Sequence, residues 1–125
     1  MRVNSRMRPG LFMASFTPAD LDQFTGTTRY YRYWTQRLIY TDGVHYFAEQ
    51  AGAYWFLDIV ATEIIALPEP FMVVKLLSEN DSGVITVDDG NGKIVYHRDI
   101  EWTDFPEGEW KFYLTDGVLM VPSEY

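Results

Sequence analysis

Two prolines placed two residues apart, Pro68 and Pro70, constrain the fold of this 125-residue chain more than any other feature. Proline lacks the amide proton that a helix interior or a central strand needs, so neither element can continue through this point. The hydrophobic periodicity is helical before the prolines and alternating after them. Because each half is too small to fold alone, the sequence predicts two layers of one domain that meet at residues 67–70.

The first half predicts helices. Thr17 is a suitable cap for a short helix that has Pro18 at its first position and ends before Gly26. A second helix is expected from Thr27 or Thr28 to about residue 40. An aromatic-rich run such as that at 29–34 also suits a strand, so this alternative stays open.

A third and longer helix is expected from Thr41 or Asp42 to about Ala66. From residue 51 onward it has hardly any polar face. Such a helix has to be enclosed by the fold or covered by a second subunit. The sequence therefore predicts self-association through this helix.

The second half predicts antiparallel strands joined by short turns. The expected strands are Met72–Glu79, Val84–Asp88, Lys93–Arg98, Glu109–Thr115 and Val118–Pro122. A two-residue turn at 116–117 aligns Leu114 with Leu119, and a four-residue loop at 89–92 aligns Val87 with Ile94. The predicted fold class is α+β, with N-terminal helices packed on one face of an antiparallel meander of four to five strands. Residues 17–125 form this single domain, and residues 1–16 are expected to be a flexible extension.

The charge balance excludes several classes of partner. Eighteen acidic residues against ten basic ones give a net charge of −8, all of which falls in residues 66–125. This charge disfavours bare nucleic acid and anionic membranes. The longest apolar stretch, residues 51–67, is too short to span a membrane and contains Asp58 and Glu63. We therefore expect a cytoplasmic protein, and no cofactor signature is present.

Asp58 is the candidate catalytic residue. It lies in the middle of a predicted helix between Leu57 and Ile59, on a stripe that is otherwise apolar. If it is buried, desolvation favours a raised pKa and a role as general acid or base. The alternative is a structural tie to Arg32, to Arg37 or to a tyrosine hydroxyl.

Two further patterns resemble metal sites. His45 and Glu49 stand four residues apart on a predicted helix, and His97 is the second histidine of the chain. Without a third ligand in a recognised spacing, a solvated helix pair is the preferred interpretation, and no metal is expected. The run at 88–92 looks like a calcium loop but lacks its alternating ligands, so a hairpin turn is expected there.

A long acidic loop at 99–108 is the candidate binding site, because long loops often carry function. With the acidic pair before residue 90 it is expected to form a surface that mimics nucleic-acid phosphates or docks on a basic protein. The alternative is a solvated loop whose tryptophan packs under the sheet. The residues proposed for binding are Trp102, Asp104, Phe105, Glu107, Asp88 and Asp89.

Ten of the 21 aromatic residues fall between positions 30 and 56, with arginines among them. A base-stacking platform is one interpretation, but the overall acidity opposes it. A core combined with a protein interface explains the aromatics more simply, since tyrosine, tryptophan and arginine are enriched at interface hot spots.

Three strings of the sequence support a family resemblance: Phe24-Thr25-Gly26-Thr27, Tyr40-Thr41-Asp42-Gly43-Val44 and the closing Val121-Pro122-Ser123-Glu124-Tyr125. With them the chain resembles a family of small uncharacterised bacterial and phage proteins that contain a domain of unknown function. The resemblance covers about residue 21 onward. It implies a bacterial or phage setting and supplies no catalytic residue.

The sequence therefore predicts a non-enzymatic, cytoplasmic protein-binding module of a bacterium or mobile element, which binds a protein partner or itself. One alternative is an acidic, nucleic-acid-mimicking inhibitor of a defence or nucleic-acid enzyme, because the whole net charge lies in the sheet half. The other is a small enzyme that uses Asp58 as general acid or base.

Overall fold

Residues 16–26, 29–33, 37–101 and 106–125 are described by the structure of this protein, which is a computed structural model. The strands are β1 Tyr30–Arg32, β2 Ile39–Thr41, β3 Phe71–Glu79, β4 Ser82–Asp88, β5 Ile94–Ile100, β6 Gly108–Thr115 and β7 Val118–Met120. The helices are a 3₁₀ helix at Pro18–Gln23, α1 Asp42–Ala51, α2 Tyr54–Ile59, a π-helical segment at Val60–Ile64 and a second 3₁₀ helix at Pro122–Glu124. The strands form one sheet in the order β1-β2-β7-β6-β3-β4-β5.

The α+β class is confirmed, and the five strands expected after the prolines are present. Alternation puts Met72, Val74 and Leu76 of β3 in the core, whereas the next residue, Leu77, points to the other face and is 41% exposed. The hairpin at 116–117 pairs Leu114 with Leu119, as the apolar pattern predicts. The helices cover the core side of the sheet.

The predicted order of the strands, a simple meander, is wrong. β3, β4 and β5 follow one another, but β6 pairs with β3 and leaves β5 at the sheet edge. β3 suits an interior position because its core-facing side chains are buried throughout and Val73, on the other face, is only 8% exposed. β5 carries His97, Arg98 and Asp99 on consecutive exposed positions, which suits an edge strand.

The predicted pairing of Val87 with Ile94 is also wrong. Val87 pairs with Tyr96, and Asp88 pairs with Ile94, because a bulge interrupts the ladder between Val87 and Asp88. The loop at 89–93 is therefore longer than the four residues expected. A bulge adds a residue on one strand only, so apolar matching across the turn does not reveal it.

The helix predicted over residues 27–40 is wrong, and the strand alternative is correct. β1 and β2 pair antiparallel, and β2 pairs in parallel with β7, which makes the sheet mixed and seven-stranded. The strand arrangement puts Tyr31 and Tyr40 opposite each other, with Tyr40 buried and Tyr30 exposed. The alternation of a strand thus accounts for which tyrosine rings are buried and which are exposed, whereas a helical period does not.

The long helix predicted over residues 42–66 is not continuous. Gly52 adopts the left-handed conformation, with φ 63° and ψ 38°, and ends α1. The chain restarts as α2 and continues as the π-helical segment. Phe56, Leu57, Val60 and Ile64 are fully buried within the chain's own core, so this segment needs no second subunit to cover it.

The short N-terminal helix is confirmed at Pro18–Gln23, in 3₁₀ form, with the Asp20 carboxylate accepting the Thr17 amide at 2.9 Å. Of the extension predicted at residues 1–16, residues 1–15 lie outside the described residues. Within the described residues, no helix combines the length and apolar character that crossing a membrane requires.

Glu63 fastens the π-helical segment to the edge strand β5. Its carboxylate accepts hydrogen bonds from the Tyr96 hydroxyl and from the Arg98 guanidinium, the latter at 2.6 Å. The Tyr96 hydrogen bond, followed by Arg98, lowers the pKa of Glu63 below its ordinary value of 4.5. β5 is therefore held to the helical layer by a charged contact in addition to its ladder with β4.

We predict that Glu63→Gln destabilises the protein near neutral pH and that this effect disappears in acid. A carboxylate whose pKa is lowered by folding contributes stability above its unfolded pKa, and the contribution is lost as the pH falls through the folded pKa. Because the Glu63 and Arg98 side chains are each 44% exposed, the contribution is less than about 1 kcal/mol.

Urea unfolding of wild type and variant, from neutral pH to about pH 3, measures the effect. Glu79→Gln, a change at another exposed glutamate, is the matched control. A wild-type-to-variant difference that stays constant below the unfolded pKa contradicts the prediction.

Candidate functional site

Four tyrosines and the three polar candidates of the first half lie in one cluster. At one edge of the sheet, β1 and the residue that follows it, Tyr33, approach α1 and α2. We call this group the tyrosine cluster; it consists of Tyr31, Tyr33, Tyr40, Tyr54, His45, Glu49 and Asp58. The structure thus brings together His45 and Glu49, which the sequence singled out as a possible metal pair, and Asp58, which it singled out as a catalytic candidate.

Hydrogen bonds join the tyrosine hydroxyls to both carboxylates. Tyr54 donates to Glu49 Oε2 at 2.6 Å. Tyr33 donates to Asp58 Oδ1 at 3.2 Å and lies 3.3 Å from the carbonyl oxygen of Tyr54. The hydroxyls are therefore oriented by acceptors from α1 and α2.

Ring stacking orders the other side of the cluster. The His45 ring lies parallel to Tyr31, with centroids 4.1 Å apart and an interplanar angle of 5°. Tyr31 also stacks on Tyr40 at 5.4 Å. His45 Nδ1 is buried without a hydrogen-bond partner among the described residues. The imidazole is thus held by stacking between β1 and α1.

Two of the phenols are kept protonated by their surroundings. Burial, followed by the hydrogen bond to Glu49, raises the pKa of Tyr54. Burial also raises the pKa of Tyr40, with smaller contributions from Tyr31 and Glu49. Both hydroxyls therefore remain donors at neutral pH.

The burial predicted for Asp58 is wrong, because its side chain is exposed. The break at Gly52 turns the apolar stripe of α2 towards the core through Phe56 and Leu57 and leaves Asp58 on the outer side. One of its partners is the Tyr33 hydroxyl, which agrees with the tyrosine alternative. Exposure removes the burial on which the catalytic interpretation of Asp58 depended.

The structure does not assemble the three histidine and glutamate residues of the weak metal pattern. His97 lies on β5 at the far edge of the sheet from His45, and its Nε2 is 3.5 Å from Asp99. Across the described part of the chain, no three histidine or carboxylate side chains are grouped as metal ligands would be.

The calcium-like run is a hairpin turn, as expected. Asp88 accepts the Gly90 amide at 2.8 Å, and one oxygen of Asp89 accepts the amides of Asn91 and Lys93. These backbone hydrogen bonds, with that of Asn91 largest, hold the pKa of Asp89 below its ordinary value. The two aspartates are therefore occupied in shaping the loop.

The acidic residues proposed for binding do not form one surface. Asp88 and Asp89 lie at the end of the sheet where β3 begins, whereas Glu107 accepts the Asn80 amide just past the end of β3. Nine residues of β3 separate the two positions. Trp102, Asp104 and Phe105 lie outside the described residues.

One end of the sheet nevertheless collects carboxylates. Glu107, just before β6, accepts the amide of Asn80 in the β3–β4 turn, and Glu101 directly follows β5 at the same end. We call this group the acidic end; its described members are Glu79, Asp81, Asp99, Glu101, Glu107 and Glu109.

The carboxylate of Glu124 is a contact that sequence reasoning missed. Its Oε1 accepts the Thr41 hydroxyl at 2.5 Å and the Val121 amide at 3.0 Å, and its Oε2 accepts the Gly43 amide at 3.1 Å. A Cβ at Gly43 would lie 2.8 Å from Val121, so only glycine allows this approach. Glu124 thus ties the chain's end to the start of α1.

The Glu124 contact unites the strings that suggested a family. Ser123 donates to the carbonyl of Phe24 at 2.5 Å, while Glu124 binds Thr41 and Gly43. All three strings therefore meet at one place. The joint occurrence of the three strings was the only sign in the sequence that these segments contact one another.

Comparison with known families gives a match over nearly the whole chain. Residues 15–125 match the model of a family described as a family of unknown function (DUF6876). The chain belongs to this family. Searches of curated proteins and of solved structures found no match.

We predict that Glu124→Gln destabilises the protein by about 2–3 kcal/mol, because an amide replaces a carboxylate that accepts three hydrogen bonds and turns a donor towards backbone amides. Chemical denaturation measures the change. Glu101→Gln, at an exposed position, is the control and is expected to stay within about 0.5 kcal/mol of wild type. Equal stability of the two variants contradicts the role of Glu124.

Proposed function

We propose that this member of the DUF6876 family is a cytoplasmic, non-enzymatic protein-binding module of a bacterium or mobile element. The observation that carries the proposal is the surface of the tyrosine cluster. Together with the neighbouring Tyr30, which is 63% exposed, it presents rings whose hydroxyls are already fixed by internal acceptors. Tyrosine supplies a large contact area at low cost in conformational entropy, which suits a protein interface.

The chemistry of the cluster favours binding over catalysis. Tyr54 is 36% exposed and its raised pKa keeps its hydroxyl as a neutral donor. Asp58 is solvent-exposed and hydrogen-bonded to Tyr33. The half-buried rings offer a partner apolar area. Because Tyr33 and Tyr54 already donate their only hydroxyl protons to Asp58 and Glu49, their oxygens are left as fixed acceptors for a partner.

The partner surface is tested by crosslinking in the native host. A photo-crosslinking amino acid at position 30 is expected to capture a specific protein other than this chain. The same amino acid at Ile94, which is 56% exposed at the opposite edge of the sheet, is the matched control. Identical captures from both positions contradict the proposal.

We predict that Tyr30→Ala weakens binding of the captured partner about 30-fold, the effect of losing an interface hot spot. Because Tyr30 is largely exposed, the free energy of unfolding is expected to change little. Titration calorimetry with the identified partner measures the loss. Ile94→Ala is expected to bind as wild type does, and unchanged binding by Tyr30→Ala would exclude this surface.

A second candidate function is the acidic inhibitor that mimics nucleic acid, and the acidic end favours it. Six carboxylate residues within one end of the sheet provide a concentrated negative field on a chain of net charge −8. Of the binding residues named from the sequence, we retain Glu107 for this function. Asp88 and Asp89 lie at the other end of the sheet and shape a turn.

For this second function we predict a partner that is captured at low salt and released at high salt, since exposed charges are screened. Glu101→Lys is expected to reduce the capture strongly, whereas Asp22→Lys, an equal charge change on the first 3₁₀ helix, leaves it intact. Quantitative mass spectrometry of the captured proteins measures both. Salt-independent capture excludes the mimic.

A further inference from the structure

The face of the sheet opposite the helices, here called the open face, carries an ordered pattern of charge. On its central part the side chains remain accessible: Leu77 is 41% exposed, the Glu109 side chain 57% and the Asp99 side chain 79%. An open concavity of about 420 Å³ lies beside Leu77, Val84 and Asp99. This area is therefore available to another molecule.

Two adjacent rows of residues cross the open face. The first, the acidic row, has carboxylates at its two ends and apolar residues between them; it runs Glu109, Leu77, Val84, Asp99 across β6, β3, β4 and β5. The second row, the basic row, lies two residues away on each strand, on the side nearer the start of β3. It runs Lys111, Lys75, Thr86, His97. The rows are about 7 Å apart.

The basic row contains an unfavourable pair within the chain. Lys75 and Lys111 are direct partners across β3 and β6, and like charges in that position destabilise a sheet. Lys75 is 3.8 Å from Glu109, whereas Lys111 lies over the Tyr113 ring at 5.7 Å. An additional carboxylate above this pair would relieve the repulsion.

We propose that a second copy of this chain packs face to face on the open face, about a twofold axis that runs between the two rows. Such an axis is parallel to the rows and perpendicular to the strands. Each strand then lies over the same strand of the partner, and each row lies over the partner's other row. Glu109 then faces the partner's Lys111, and Asp99 faces the partner's His97. Every contact occurs twice, as an isologous interface requires.

The remaining residues of the rows fit the same arrangement. Leu77 and Val84 meet the alkyl stem of the partner's Lys75 and the methyl group of the partner's Thr86, which buries apolar surface between the two polar contacts at the ends of the rows. Face-to-face packing with nearly aligned strands is a normal way for two sheets to associate. The rows cross four strands of seven to nine residues, roughly 20 Å by 25 Å, so the contact covers about 500 Å² per chain, which is the size of a weak interface.

This dimer uses a different surface from the tyrosine cluster, so it stands or falls independently of the first proposed function, whereas it shares Asp99 and Glu109 with the acidic end. It also differs from association through the long helix, whose apolar side is enclosed by the core. The order of charges along the strands is what selects a second copy, because the same chain supplies both complementary rows.

Sedimentation analysis of the full chain at about 100 μM tests the proposal, and the wild type is expected to be a dimer. Lys111→Glu and Glu109→Lys each place like charges across the axis and are expected to weaken the dimer about tenfold or more. An equimolar mixture of these two variants is expected to form a heterodimer, because each chain then supplies the charge that the other lacks. The double variant is expected to dimerise again.

Lys93→Glu, a charge reversal in the β4–β5 loop, is the matched control and is expected to remain dimeric. Circular dichroism of each variant verifies folding. A monomeric wild type overturns the proposal, even if another protein is found on this face. So does a mixture of the two single variants that fails to associate while both are folded.

Discussion

The carboxylate of Glu124 is the contact on which the arrangement of the first half depends. It binds Thr41, the last residue of β2, and Gly43, in the first turn of α1. Because β2 pairs in parallel with β7, the two segments that Glu124 joins are also neighbours in the sheet. The site follows from this, since β2 and α1 carry Tyr40, His45 and Glu49.

The second half of the fold was predictable because its information is local. Strand alternation and the turn at 116–117 specify elements within a few residues of each other, and Leu114 pairs with Leu119 accordingly. The position of β6 was not predictable in this way, since β6 can pair either with β5, which precedes it in the chain, or with β3. β3 is the better partner because its core-facing side chains are buried throughout, whereas β5 is largely exposed, and that difference appears only when the sheet is complete.

The residues of the candidate site were found individually, but their association was not. His45, Glu49 and Asp58 stand out in the sequence. Glu49 meets Tyr54 between α1 and α2, but His45 and Asp58 meet their tyrosines only because residues 30–32 form a strand. In a short aromatic run, helical and strand propensities are close, and pairing with β2 decides between them. The same decision determines the surroundings of Asp58, since Tyr33, its hydrogen-bond donor, follows that strand.

The edges of the sheet disfavour pairing with another strand, so the open face is the surface through which we propose association. β1 has three residues, and β5 presents His97, Arg98 and Asp99 in succession, so neither edge is a good template for another strand. The open face instead combines exposed Leu77 with charges in a fixed order. In the dimer that we propose, a second copy meets both the acidic row and the basic row with the opposite sign, which a random protein surface does not. Specificity in that dimer comes from the order of the charges, and the apolar residues between them contribute affinity.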